Sequence, residues 1–296
     1  MHIFRRPSLL SGLAALLLAL PLAVHADDAV TPPVAFSGKI VSAQGALPAQ
    51  LAVTADCEDD HPPITGQVSG DAYLIELPPA VSCTVTLAAH EWTSAPQRVF
   101  DAVSAVAQTM LVYPRQVREP ELAKELADMA QQERALQRTG SSTDSQIGAQ
   151  RDAATVKRLA GKERALQRRL RQIITTRGWP TISMVGAEAA SDAWFVAQHA
   201  PPAQLKHWLI FMRAAARQHE IEPANLAATI DRVRTNAGRP QLYGTQYRLL
   251  ADGGVEFLPI EDSANLDARR YSMGMSSHAL YLQSLQPAPT VQLEKP

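Results

Sequence analysis

Near residue 115 the chain changes its period, and that change limits the possible fold more than any other feature. Between residues 34 and 113 apolar residues recur at every second position between turn-forming clusters, with no 3.6-residue stripe. Leu51, Val53, Ala55 and Cys57 share one face of "LAVTADC"; Tyr73, Ile75 and Leu77 share one of "YLIEL"; Val81, Cys83, Val85 and Leu87 share one of "VSCTVTL". From 119 to 178 charged residues, Ala, Leu and Gln dominate, a composition that favours long helices. The expected class is α+β: an N-terminal antiparallel β-sandwich (30–115), a helical hairpin (119–178), and a mainly α-helical domain with one β-hairpin (179–286, hairpin at 241–260). A flexible tail follows at 287–296.

The first 26 residues join a basic start (Arg5, Arg6), an apolar run from Leu9 to Val24 and small residues at Val24 and Ala26, the pattern of a secretory signal. Its removal takes two arginines and no acid and moves the net charge from −1 to −3, which argues against nucleic acid as a partner. No transmembrane segment is expected after that removal. The implied location is the periplasm or the outside of the cell, where oxidation is the default, so Cys57 and Cys83 are expected to form a disulfide between core-facing strand positions.

The helical hairpin is striped by Leu122, Leu126, Met129 and Leu136 in its first arm and by Val156, Leu159, Leu166, Leu170 and Ile173 in its second. The hexapeptide "ERALQR" occurs in both arms, at 133–138 and 163–168. The first arm (119–138) carries five acids against three bases and the second (151–171) eight bases against two acids, so antiparallel packing is attractive. A basic helix touching an anionic lipid or polymer is the weaker reading of the second arm, because its acidic neighbour competes for the same charges. Further on, Pro201, Pro202 and Pro223 suit first turns of helices, and Gly178 and Gly238 suit helix ends. Asp-Gly in "QYRLLADGGVEFLPI" marks the hairpin, with one strand face expected on the helices and the other in water.

The blocks "GWPTISMVGAEAASDAWFVAQHA", "NLAATIDRV", "GRPQLYGTQYR" and "LPIEDSANLDARR", in that order, resemble an uncharacterised bacterial domain family of unknown function across roughly 119–285. That resemblance implies an architecture and carries no activity. The strand pattern ending in "GDAYLIEL" and "CTVTL" resembles the small carboxypeptidase regulatory-like β-sandwich, which implies a supporting or binding role.

No dedicated metal, Walker, G-x-S-x-G or G-x-G-x-x-G pattern occurs, and no cofactor or metal is expected. The polar residues of the matched blocks supply the candidate site. His199 with Asp231 behind it is the candidate general base, and Gln198, Arg232, Gln241, Tyr243, Gln246 and Arg269 are the candidate ligand-binding residues. Gly244 allows a positive φ or a close backbone approach that would aim Gln241, Tyr243 and Gln246 at one point. The bland alternative is that His199 caps its helix, Asp262 caps the helix at "SANLDARR", and Asp231 and Arg232 form ordinary ion pairs. The favoured function is a non-catalytic binding or interaction protein of the cell envelope, with a glycan, peptide or protein partner in a groove between "AQHA" and "QLYGTQ". The alternative is a hydrolase-like enzyme using His199 and Asp231.

Overall fold

The computed structural model describes residues 31–43, 45–58, 61–99, 106–139, 153–250 and 254–285. The expected leader, most of the connector after 139, the hairpin turn at 251–253 and the expected tail lie outside these residues. From Pro32 onward the chain forms one compact unit, with its strands first and most of its helices after them.

Alternation produces ten strands: β1 (Val34–Ser42), β2 (Ala52–Cys57), β3 (Ile64–Thr65), β4 (Gln67–Ser69), β5 (Ala72–Leu77), β6 (Cys83–Ala89), β7 (Trp92–Ser94), β8 (Gln97–Val99), β9 (Val106–Ala107) and β10 (Met110–Pro114). Their order is β3-β2-β6-β7-β10-β1-β5-β4, with β8 also on β6 and β9 on β1. The two ends of that order, β3 and β4, are joined through Gly66 alone, so the sheet curls back on itself in a nearly barrel-like way. Gly66 is required at this corner: a Cβ there would lie 2.4 Å from the Leu74 carbonyl oxygen. The core-facing phases hold, with Val53, Ala55, Tyr73, Ile75, Leu77, Cys83, Val85 and Leu87 all buried. Cys57 and Cys83 face each other in the β2–β6 register and are bonded.

One expectation is corrected here. The sheet is mixed rather than antiparallel, because β1 runs parallel to β9 and to β10. The first strand pairs with the last two, and a strand returning after so long a path is free to enter in either direction.

In the helical part, α1 (Pro120–Arg138) and α2 (Ala153–Arg177) form the expected hairpin, with ion pairs Glu125–Arg169 and Glu119–Arg177 setting an antiparallel register. Leu122, Leu126, Met129 and Leu136 are buried, as are Leu166, Leu170 and Ile173. Val156 is 48% exposed, contrary to its place in the stripe, because in that register it lies level with the end of α1. Then come α3 (Ile182–Val185), α4 (Ala187–Ala197), α5 (Pro202–Ala216) and α6 (Pro223–Asn236), the last two opened by the anticipated prolines.

The hairpin is shorter than expected: β11 (Tyr247–Leu249) and β12 (Val255–Phe257), followed by α7 (Leu266–Ser272) and α8 (His278–Leu285). Tyr247 and its cross-strand partner Phe257 meet α8, Tyr247 through Tyr281 and Phe257 through His278 and Tyr281, whereas Leu249 on the Tyr247 phase is 73% exposed. The face that carries Tyr247 and Phe257 therefore lies on α8, as expected, but the cover stops short of Leu249.

A single buried cluster runs from Ala43, Leu111 and Tyr113 of the strand part into α1–α6, and a second fills the strand part. Gln108 also donates to the Gly274 carbonyl across the junction at 2.7 Å. The strand and helix parts thus share a core.

Candidate functional site

The segment 241–246 leaves α6 after Gly238 and folds back over it. Its shape is set by one carboxylate. Asp231 on α6 is fully buried and accepts from the backbone N–H groups of Leu242 (2.6 Å), Tyr243 (3.1 Å) and Thr245 (3.1 Å) and from the Thr245 hydroxyl (2.9 Å). A buried carboxylate is tolerated when such donors replace its water. Gly244 takes φ +65, and a Cβ there would come 2.7 Å from the His278 ring, so both reasons for glycine apply.

The loop's carbonyls are held by arginines. Arg269 donates to Leu242 O at 2.7 Å and to Glu261 O at 2.6 Å; Arg270, 1% exposed, donates to Tyr243 O at 2.6 Å and Ser276 O at 2.7 Å. Gln241 is sealed. Its amide nitrogen donates to Gln246 O (2.9 Å) and Leu258 O (2.8 Å), while its oxygen accepts from Gln246 N (2.8 Å). Arg232 donates to the Gln246 side-chain oxygen (3.0 Å) and to the Gln198 carbonyl (2.8 Å), tying the end of α4 to this loop.

His199 follows α4. Its Nδ1 lies 3.0 Å from Phe195 O and 3.3 Å from a Glu133 carboxylate oxygen. Since a carbonyl only accepts, Nδ1 carries the proton in the neutral ring, and Nε2 keeps its lone pair. Burial, and then the Arg232 charge, push the imidazole pKa down, which leaves the ring neutral at pH 7. Glu133 is fully buried on α1. Burial, and also the nearby Glu163 charge, push its carboxyl up, against a hydrogen bond from Gln137.

His199 lines a cleft of about 580 Å³ between α2 and the α4–α5 junction. The α2 wall supplies Glu163, Arg164, Gln167, Arg168 and Arg171, and the opposite wall is Ala200, Pro201 and Pro202. Gln167 is fixed by its amide on Val196 O at 2.7 Å.

The structure therefore brings Asp231, Arg232, Gln241, Tyr243, Gln246 and Arg269 together, but as a self-satisfied clamp. Three expectations are corrected. Asp231 does not stand behind His199: its acceptor capacity goes to the loop amides, and Glu133 takes that place. Gln241 does not aim at a ligand, because its amide is fully buried and fully engaged on backbone. The groove between "AQHA" and "QLYGTQ" is bridged by Arg232, and the cleft beside His199 opens towards α2 instead. Gln198 joins the clamp through its carbonyl, and Tyr243 through its backbone. Asp262 makes no helix cap; its carboxylate accepts from the Asn265 side chain at 2.8 Å.

Glu133 and Gln167 were not anticipated from the sequence, and Arg164, Arg168 and Arg171 were anticipated only as part of the basic second arm. A signal for Glu133 was present: it falls on the apolar stripe of α1 between Met129 and Leu136, where an acid has no reason to be unless it serves a partner. Among the described residues no group of three or more His, Cys, Asp or Glu side chains is arranged for a metal ion, and no helix is long and apolar enough to cross a membrane.

No curated protein and no solved structure matches the chain. Residues 120–294, more than half of its length, match a family of unknown function, DUF6624, and the chain belongs to that family.

Proposed function

We propose that the chain is an exported cell-envelope protein that binds a ligand without transforming it, in the cleft beside His199. The observation that carries the reading is that cleft. Its volume falls in the range of about 300–1,000 Å³ usual for ligand sites, and charged side chains line it. In contrast, the polar residues of the 241–246 loop are consumed by internal hydrogen bonds. The leader-like start and the Cys57–Cys83 disulfide support export. The strand part, which shares a buried cluster with the helices, serves as the scaffold on which the helical part stands.

The test uses full-length protein recovered from its export compartment and native mass spectrometry. Ala160→Trp fills the cleft while keeping every one of its polar side chains. A bound mass present on the native chain and absent from A160W is expected; an identical spectrum for both removes the cleft from the proposal.

A second reading, hydrolysis with His199 as general base, is favoured by one observation: Nδ1 is held by Phe195 O and Glu133, so the basic nitrogen is Nε2. It requires Glu133, not Asp231, as the supporting carboxylate. His199→Ala abolishing an activity on envelope polymers at unchanged thermal stability would decide for it.

A further inference from the structure

We infer that the cleft beside His199 takes an oligoanion, a chain bearing two or more phosphate or carboxylate groups, with the arginines of α2 as its binding row. The inference rests on the binding role proposed above and names the ligand class.

Antiparallel packing divides the basic face of α2. Arg169 and Arg177 turn to α1 and pair with Glu125 and Glu119. Arg164, Arg168 and Arg171 stand at i, i+4 and i+7 on a different face, are exposed, and line the cleft. No acid pairs with any of these three among the described residues. The competition expected from the acidic arm therefore does not reach them. At a helical rise of about 1.5 Å per residue the row spans about 10 Å, longer than one phosphate and suited to a chain of them.

Guanidinium forks grip phosphate and carboxylate oxygens two at a time, and Glu163 is the single acid of the cleft against three arginines. The opposite wall adds to the field. Helix α5 begins there at Pro202 with no side-chain cap and no acid in its first turn, so its positive end faces the same space uncompensated. A recessed cleft with charge on two sides suits a chain that enters it better than a flat membrane surface.

The experiment is calorimetric titration of the full chain with inorganic tripolyphosphate, orthophosphate and the neutral trisaccharide of N-acetylglucosamine, at low and high salt. Tripolyphosphate is expected to bind, orthophosphate more weakly, with affinity falling as salt rises. Arg168→Ala should weaken tripolyphosphate about tenfold, the loss of one charge-assisted contact. Arg158→Ala removes the same charge from the same helix outside the cleft and should leave binding unchanged. Equal losses in R158A and R168A would overturn the inference in favour of diffuse charge. Binding to anionic phosphatidylglycerol vesicles without tripolyphosphate binding would overturn it in favour of a membrane. If only the neutral trisaccharide binds, and A160W abolishes that, the oligoanion fails while the binding role stands. If no probe binds and A160W carries the same mass as the native chain, both fail.

Discussion

Asp231 organises more backbone than any other side chain at the loop it faces, and its removal should be felt as stability. Asp231→Ala strands the buried donors of Leu242, Tyr243 and Thr245, each lost partner being worth about 1–3 kcal/mol. Denaturant unfolding should therefore show a loss of about 3 kcal/mol or more, and a variant within 1 kcal/mol of the native chain, the size of an ordinary surface change, would refute the clamp. Glu222 makes the opposite contribution. Its Oε1 is sealed without a hydrogen-bond partner among the described residues, and burial raises the carboxyl pKa from 4.5 to about 7. The folded chain then holds a proton that the unfolded chain releases, so this stabilisation is complete below pH 4.5 and lost as pH rises to about 7. Glu222→Gln should raise stability at pH 8 by about 1–3 kcal/mol and flatten the profile between those limits. His199 runs the other way: its lowered pKa gives stability above the usual imidazole range that is lost as pH falls through it. The same protonation adds a positive charge to the cleft. As pH falls through the imidazole range the native chain should therefore gain tripolyphosphate affinity relative to His199→Gln, a difference read from paired titrations at each pH so that the ligand's own protonation is common to both.

At the scale of elements, what could be read in advance was what short-range pattern controls. Alternation in "LAVTADC" and "VSCTVTL" put both cysteines on core phases, and they meet in register. Their bond closes a loop of 26 residues, which on the chain-entropy account contributes about 3–4 kcal/mol. Reduction should lower the unfolding midpoint accordingly, and an unchanged midpoint under reductant would contradict that contribution. Prolines 202 and 223 opened α5 and α6 where first-turn chemistry placed them. What stayed hidden depends on distance along the chain. The parallel return of β10 beside β1 joins Ile40 to Met110, and nothing local encodes it. The Asp231 clamp joins a helix to a loop 11 to 14 residues later, so composition shows the donors and the acceptor but not their meeting. Glu133 is the intermediate case. Its position on a buried stripe was visible, while its partner His199 lies 66 residues away and became visible only when α1 packed on α4.

For the whole unit from Pro32 onward, the change of period near residue 115 marks a change of element type but not a break in the core. Leu111 and Tyr113 of β10 belong to the same buried cluster as Trp179, Ile182, Trp208 and Met212, and Ala43 after β1 joins them. A side-chain bond reinforces the junction, with Gln108 donating to the Gly274 carbonyl at 2.7 Å. Two independently stable parts joined by a linker would each melt with their own midpoint; parts that share apolar surface expose it when either one opens, which couples them. Thermal unfolding should therefore show one transition, with strand and helix signals in the far ultraviolet and the tryptophan signals of the helical part moving together. Tyr113→Ala should shift that single midpoint down, because removing a buried ring leaves a cavity worth about 3–5 kcal/mol facing both parts. Two separated midpoints in the native chain, or a Tyr113→Ala effect confined to the strand signal, would show that the helices stand without the sheet. In that case the cleft beside His199 would keep its ligand affinity in a chain trimmed to the helical part, whereas a shared core predicts that trimming abolishes folding and binding together.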